Sequence, residues 1–115
     1  MTYCAPFARL FMVFVETPHF SELLTAAMSD SDYALLQYFL AERPDAGQLI
    51  VGGGGIRKVR WSARGKGRRG GFRVIYYWRV TGDVIFLLDL FSKNEKSDLT
   101  RADVRQLAQA AKRLK

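Results

Sequence analysis

Nine of the chain's eighteen Lys and Arg residues fall between Ala46 and Gly82, an interval that holds no Asp or Glu: Arg57, Lys58, Arg60, Arg64, Lys66, Arg68, Arg69, Arg73 and Arg79. Val, Ile, Tyr and Trp lie between the charges, so the cations belong to strands and not to a loose tail. Guanidinium groups grip phosphate oxygens through paired, charge-assisted hydrogen bonds. A Lys crowded by other cations has its charged form disfavoured, which equips it to pass a proton. Cleaving an RNA phosphodiester needs an activated 2′-OH, stabilisation of the extra negative charge, and a proton for the departing 5′-oxygen. These residue types can supply all three. Plain RNA binding would draw on the same set, so spacing alone leaves binding and cleavage both open.

Successive strand side chains point to opposite faces. In Ile56–Trp61, Lys58 and Arg60 therefore share a face. In Phe72–Val80, Arg73, Ile75, Tyr77 and Arg79 share one, and Phe72, Val74, Tyr76 and Trp78 turn the other way, into a core. If the two strands pair through the 64–71 loop, the two cationic sets can line one surface. An aromatic on such a surface can stack a base. Lys93 and Lys96, beyond the next strand, can extend it or can simply solubilise a loop.

Other chemistries fit poorly. Cys4 is the only cysteine, which excludes an intrachain disulfide, and no Cys/His cluster has zinc spacing. His19, the only histidine, follows Pro18 and reads as a surface residue at a helix start. Gly52–Gly55 lacks the Lys-Ser/Thr of a phosphate-binding loop, and Arg64–Gly71 leads into a strand rather than a helix.

The charge balance is split along the chain. Residues 1–45 carry two basic and six acidic residues, and residues 46–115 carry sixteen and five. The second part should attract phosphates, with binding that weakens as salt rises. A length of 115 residues suits one domain, and 49% apolar content is enough for one core. No stretch approaches the roughly 18 apolar residues of a membrane span. The apolar run Phe7–Val15 is interrupted by Arg9 and has no Lys or Arg before it, unlike a signal peptide. A cytoplasmic setting is expected.

The elements that must position the cations follow from pattern. Residues 1–9 read as irregular and Leu10–Glu16 as a strand. Thr17 and Pro18 open a helix with Phe20, Leu23, Leu24 and Ala27 on one side. Ser29 and Asp32 resemble a capping box for a second helix, with a stripe of Tyr33, Leu36, Phe39 and Leu40 that ends before Pro44. Strands are expected at Gly47–Val51, Ile56–Trp61, Phe72–Val80 and Val84–Phe91, the last two joined by Thr81-Gly82-Asp83. Thr100 and Asp103 start a final helix with Val104, Leu107, Ala108, Ala111 and Leu114 inward and Lys112, Arg113 and Lys115 at its end. The order β-α-α-β-β-β-β-α predicts one small α+β domain: a twisted, mainly antiparallel sheet with two N-terminal helices on one face and a C-terminal helix.

Three blocks carry a family resemblance: Ile56-Arg-Lys-Val-Arg-Trp61, then Gly65-Lys-Gly-Arg-Arg-Gly-Gly-Phe-Arg-Val-Ile-Tyr-Tyr77, then Phe91-Ser-Lys-Asn-Glu-Lys-Ser-Asp-Leu-Thr100. Their order and spacing resemble the HigB branch of the RelE/ParE toxin superfamily. The likeness runs from about Met12 to the C-terminus, which makes residues 1–11 an extension and 12–115 the toxin domain. It implies a RelE-like fold and a ribosome-dependent mRNA endonuclease that cuts in the A site without metal or cofactor. It also implies a HigA-like helix-turn-helix antitoxin that neutralises the toxin and carries the complex to operator DNA.

By the same resemblance, Lys58, Arg60, Arg73, Lys93 and Lys96 match catalytic basic positions. Lys58 or Lys93 would transfer protons, and Arg60 and Arg73 would stabilise the phosphorane charge. Tyr77 or Phe91 would stack a base, and Arg57, Arg64, Lys66, Arg68 and Arg69 would hold RNA backbone. The chain departs from RelE itself at Asn94, where RelE has an arginine, and near Thr100, where RelE has a catalytic tyrosine, so the identity of the base stays open. A ParE-like gyrase inhibitor and a non-catalytic RNA-binding module are the competing expectations.

Overall fold

The computed structural model describes residues 12–62, 71–92, 95–96 and 98–115. The expected extension 1–11 lies outside them, as do Arg64, Lys66, Arg68, Arg69 and Lys93. The order is β1 (Val13–Glu16), α1 (Pro18–Ala27), α2 (Asp30–Glu42), β2 (Gln48–Leu49), β3 (Ile56–Ser62), β4 (Gly71–Arg79), β5 (Val84–Ser92) and α3 (Arg101–Leu114). The sheet runs β1-β5-β4-β3-β2, antiparallel throughout except for β1, which lies parallel to β5. This is the expected α+β architecture.

The helix starts follow local chemistry. Thr17 accepts from the Phe20 amide at 3.1 Å, with Pro18 in the first turn, where its missing N–H leaves no helical bond unmade. Ser29 Oγ accepts from the Asp32 amide at 3.2 Å. At α3, Thr100 Oγ1 accepts from the Asp103 amide at 3.1 Å and the Asp103 carboxylate accepts from the Thr100 amide at 3.0 Å, a reciprocal capping box.

Both sheet faces are covered. α1 and α2 lay Phe20, Leu36 and Leu40 on Val59, Phe72, Val74, Tyr76, Ile85, Leu87 and Leu90. On the other side, Leu107, Ala111 and Leu114 of α3 cover Ile56, Ile75, Tyr77, Phe86, Leu88 and Phe91. A strand buried on both sides cannot alternate apolar with polar, which explains the nearly continuous run Val-Ile-Phe-Leu-Leu in β5. The register between β4 and β5 slips by one residue, so Leu88 and Asp89 together oppose Ile75. This bulge lets Leu88 and Phe91, three apart, serve the same core. Nothing in the residue pattern announced it.

The two-sided burial corrects one expectation. The face bearing Arg73, Ile75, Tyr77 and Arg79 is not an open surface along its length. Ile75 is fully buried and the Tyr77 ring, 9% exposed, stacks on Phe86 with centroids 6.3 Å apart. The amphipathic stripe of α3 requires an apolar bed, and these residues provide it. Among the described residues no helix is long and apolar enough to cross a membrane.

Candidate functional site

What α3 leaves uncovered is the end of the sheet where β3 and β4 meet the 63–70 segment. Register sets the site. Arg60 and Arg73 are direct partners across β3 and β4, and Lys58 pairs with Ile75 two positions along the same face. Gln48 of the edge strand β2 pairs with Lys58. Lys58, Arg60 and Arg73 therefore converge as expected. Like charges directly opposite each other destabilise a sheet. Neither Arg60 nor Arg73 makes a salt bridge to an acid among the described residues.

Lys58 does have a partner. Its Nζ donates to both carboxylate oxygens of Asp98, each at 3.0 Å. The Leu99 amide donates to Asp98 Oδ1 at 2.8 Å. The Lys58 bond, the Leu99 amide and the nearby charge of Arg73 hold the Asp98 carboxyl below its usual range. Lys58 is a quarter exposed and Asp98 more than half, so the pair stands at the surface. No local signal in the sequence ties Asp98 to a residue forty positions earlier.

Other expected contributors are engaged elsewhere. Arg57 faces the α1–α2 side, where its guanidinium donates to the carbonyls of Asp45 at 3.1 Å and Gly47 at 2.7 Å. It anchors the loop between α2 and β2. Tyr76 anchors the same loop: its hydroxyl donates to the Pro44 carbonyl at 2.7 Å and accepts from the Gly47 amide at 2.8 Å. Burial pushes the Tyr76 phenol up. Arg79 donates to the Leu114 carbonyl at 3.1 Å, satisfying the end of α3, and lies over the Phe86 ring. Lys96 lies over the Phe91 ring, 4.9 Å from its centroid, with its Nζ 3.4 Å from Asp103 Oδ2. It braces the start of α3.

The stacking expectation for Tyr77 and Phe91 is corrected as well. Both rings are buried against α3 and present no free face. His19 is exposed at the start of α1, as expected, and its Nε2 meets Asp89 Oδ1 at 3.1 Å. Arg64, Lys66, Arg68, Arg69 and Lys93 lie outside the described residues.

Residues 41–115 match the family model described as "RelE toxin of RelE / RelB toxin-antitoxin system". The matched stretch contains β2 to β5, α3, and every member of the Lys58–Arg60–Arg73–Asp98 cluster. The chain belongs to the RelE toxin family. A RelE-family toxin is one half of a toxin–antitoxin system, so a cognate antitoxin is its partner. The matched segment is also the cationic one, with sixteen of the eighteen basic residues at positions 46–115. The segment that matches the RelE family is thus also the part that builds the cationic cluster.

Proposed function

We propose that this toxin is a ribosome-dependent mRNA endonuclease of the HigB type. The reading is carried by the facing pair Arg60 and Arg73, two guanidiniums set opposite each other beside Lys58. Such a pair is unfavourable until an anion arrives between its members, and a scissile phosphate is that anion. In the reaction the 2′-oxygen attacks phosphorus, the P–O5′ bond breaks, and two protons move: one from the 2′-OH, one to the 5′-oxygen. Arg60 and Arg73 stabilise the added negative charge of the phosphorane. Lys58, positioned by its hydrogen bonds to Asp98, is the candidate for delivering a proton to the departing 5′-oxygen. Lys93 is the remaining candidate for taking the 2′-proton. Arg64, Lys66, Arg68 and Arg69 hold RNA backbone on mRNA or ribosome, and Lys96 serves by bracing α3.

The family supplies the toxin role, and the cationic site supports RNA as target. A HigA-like helix-turn-helix antitoxin is the partner proposed, with operator DNA reached only through it. The site of action is the cytoplasm. Residues 1–11 are proposed as an extension to the toxin domain at 12–115.

The test is mRNA cleavage in a reconstituted translation system, with and without ribosomes. Cuts should require ribosomes and fall about 10²-fold or more in Arg73→Ala. If Arg73→Ala stays within about threefold of wild type, the site assignment fails. If wild type makes no cuts, a supercoiling assay for gyrase inhibition becomes the deciding measurement.

A further inference from the structure

β5 outruns its neighbour at one edge of the sheet. β1 pairs with it only as far as Glu16 opposite Leu87, and β5 continues to Ser92. A hollow of about 440 Å³ lies against this open stretch, between His19 and Leu23 of α1 and Gln106, Leu107 and Ala110 of α3. An added strand would find the edge already engaged. The Leu90 amide donates to Asp89 Oδ1 at 2.8 Å and the Ser92 amide to Glu95 Oε1 at 3.2 Å, so side chains hold the groups that a visiting strand needs. Asp89 is the one acid in β5 and sits at the bulge, lining the hollow with 13% of its side chain exposed. His19 Nε2 and the Leu90 amide both meet Oδ1, and Oδ2 has no hydrogen-bond partner among the described residues.

We propose that this hollow receives an arginine side chain of the cognate antitoxin, with its stem on Leu23, Leu107 and Ala110 and its guanidinium on Asp89. The inference rests on membership of the RelE toxin family, which supplies the partner, and not on the cleavage reading. The chain carries a net charge of +7, yet Asp89 and Glu95 meet no Lys or Arg among the described residues. Lys96, a cation on the same wall, is held by Asp103 at 3.4 Å and lies over Phe91. The hollow is therefore an acidic point on a basic protein. It repels RNA and attracts a positive group. A bare cation would leave the aliphatic walls uncovered, whereas a long side chain with an apolar stem and a charged head covers walls and acid together. Arginine suits the place better than lysine. Its planar fork of five donors can serve Asp89 Oδ2 and keep others for Glu95. Interface cores also favour arginine and are depleted in lysine.

The test is titration calorimetry of the full-length toxin with the purified antitoxin of its own operon. Asp89→Asn keeps an oxygen for the Leu90 amide and removes the charge. It should weaken binding about tenfold or more, the scale of one charge-assisted hydrogen bond. Gln106→Trp fills the hollow from an exposed position on α3 and leaves Asp89 in place. It should weaken binding as much and keep the wild-type Tm, and it decides the matter if Asp89→Asn fails to fold. Arg73→Ala, on the cationic cluster, should bind the antitoxin as wild type does. One Arg→Ala variant of the antitoxin should reproduce the loss and add little when combined with Asp89→Asn, the sign of a direct contact. Binding by the folded groove variants within about threefold of wild type overturns the proposal. So does an arginine scan of the antitoxin with no coupling to Asp89, or a loss confined to Arg73→Ala, which would put the antitoxin on the cations. A groove variant that alters only the toxin's own sedimentation would assign the hollow to a second copy and overturn the proposal too. Cleavage is not part of the readout, so this docking site and the endonuclease reading stand or fall separately.

Discussion

Lys58 Nζ sits 3.0 Å from each carboxylate oxygen of Asp98, across forty residues of chain. The acid engages the Lys58 ammonium with both its oxygens, within the field of Arg73. It therefore opposes unselective anion binding at the site. Asp98→Asn should tighten binding of an uncleavable 2′-O-methyl uridine oligomer roughly fivefold at low salt, the effect of about 1 kcal/mol of surface electrostatics. Fluorescence anisotropy on the two proteins reads this. Weaker binding by Asp98→Asn would show that the acid organises Lys58 rather than competing with the ligand.

The same pair has a pH signature. The Asp98 carboxyl is lowered in the folded protein, first by the Lys58 bond. Its contribution to stability is then fully present above the ordinary aspartate range, about pH 4, and is lost as pH falls through the lowered value. The difference in Tm between wild type and Asp98→Asn should stay constant from neutral pH to about 5 and shrink below about 4. Because Asp98 is mostly exposed, solvent screening limits that difference to about 1 kcal/mol or less. A gap that persists unchanged at pH 2 would assign it to something other than this ion pair.

The elements were legible in the residues because their signals are local. Thr17 with Pro18, Ser29 with Asp32, and Thr100 with Asp103 each mark a helix start within four residues, and all three caps are formed. The convergence of Lys58, Arg60 and Arg73 was legible too, since strand periodicity and one antiparallel pairing suffice. The placement of α3 was not. Its stripe shows that it packs on something, and only the three-dimensional fold shows that the bed is the Tyr77 face. The bulge opposite Ile75, the hold of Arg57 on the loop before β2 and the Lys58–Asp98 bond depend on contacts between distant segments.

Tyr77 separates the two pictures of that face. As a base-stacking residue, its loss would lower RNA affinity and leave the fold intact. As a core residue between α3 and the sheet, its truncation removes packing on both sides. Tyr77→Ala should destabilise the protein by about 3–5 kcal/mol, as large aromatic truncations do. Urea unfolding measures this. A loss under about 1 kcal/mol would mean that α3 does not depend on this ring.

The loop before β2 is held by a buried hydroxyl, and two substitutions probe it differently. Tyr76→Phe leaves the Gly47 amide and the Pro44 carbonyl without their partner, which should cost about 1–3 kcal/mol. Gly47→Ala instead adds a methyl 2.8 Å from the Tyr76 ring and hydroxyl and 3.0 Å from Arg57 Cβ. A clash of that kind costs about 1–3 kcal/mol, and because the two positions touch, the double variant should lose less than the sum. Thermal unfolding of the four proteins forms the cycle. Strict additivity would show that the hydroxyl and the glycine do not share one contact.

Arg60 and Arg73 supply the sharpest separation of stability from function. In the unliganded protein their repulsion is unrelieved by a salt bridge among the described residues, and directly opposed like charges weaken a sheet by about 0.2–1 kcal/mol. Arg60→Gln removes that repulsion and keeps a side chain of similar reach. It should raise stability by a few tenths of a kcal/mol at low salt and lower cleavage about 10²-fold. Its RNA affinity should also fall less steeply with salt, by about 0.7 in the log–log slope for one lost phosphate contact on a single strand. Thermal unfolding at two salt concentrations, beside cleavage and binding, gives all three readings. A variant that is less stable and equally active would place Arg60 among structural residues and leave Arg73 to face the phosphate alone.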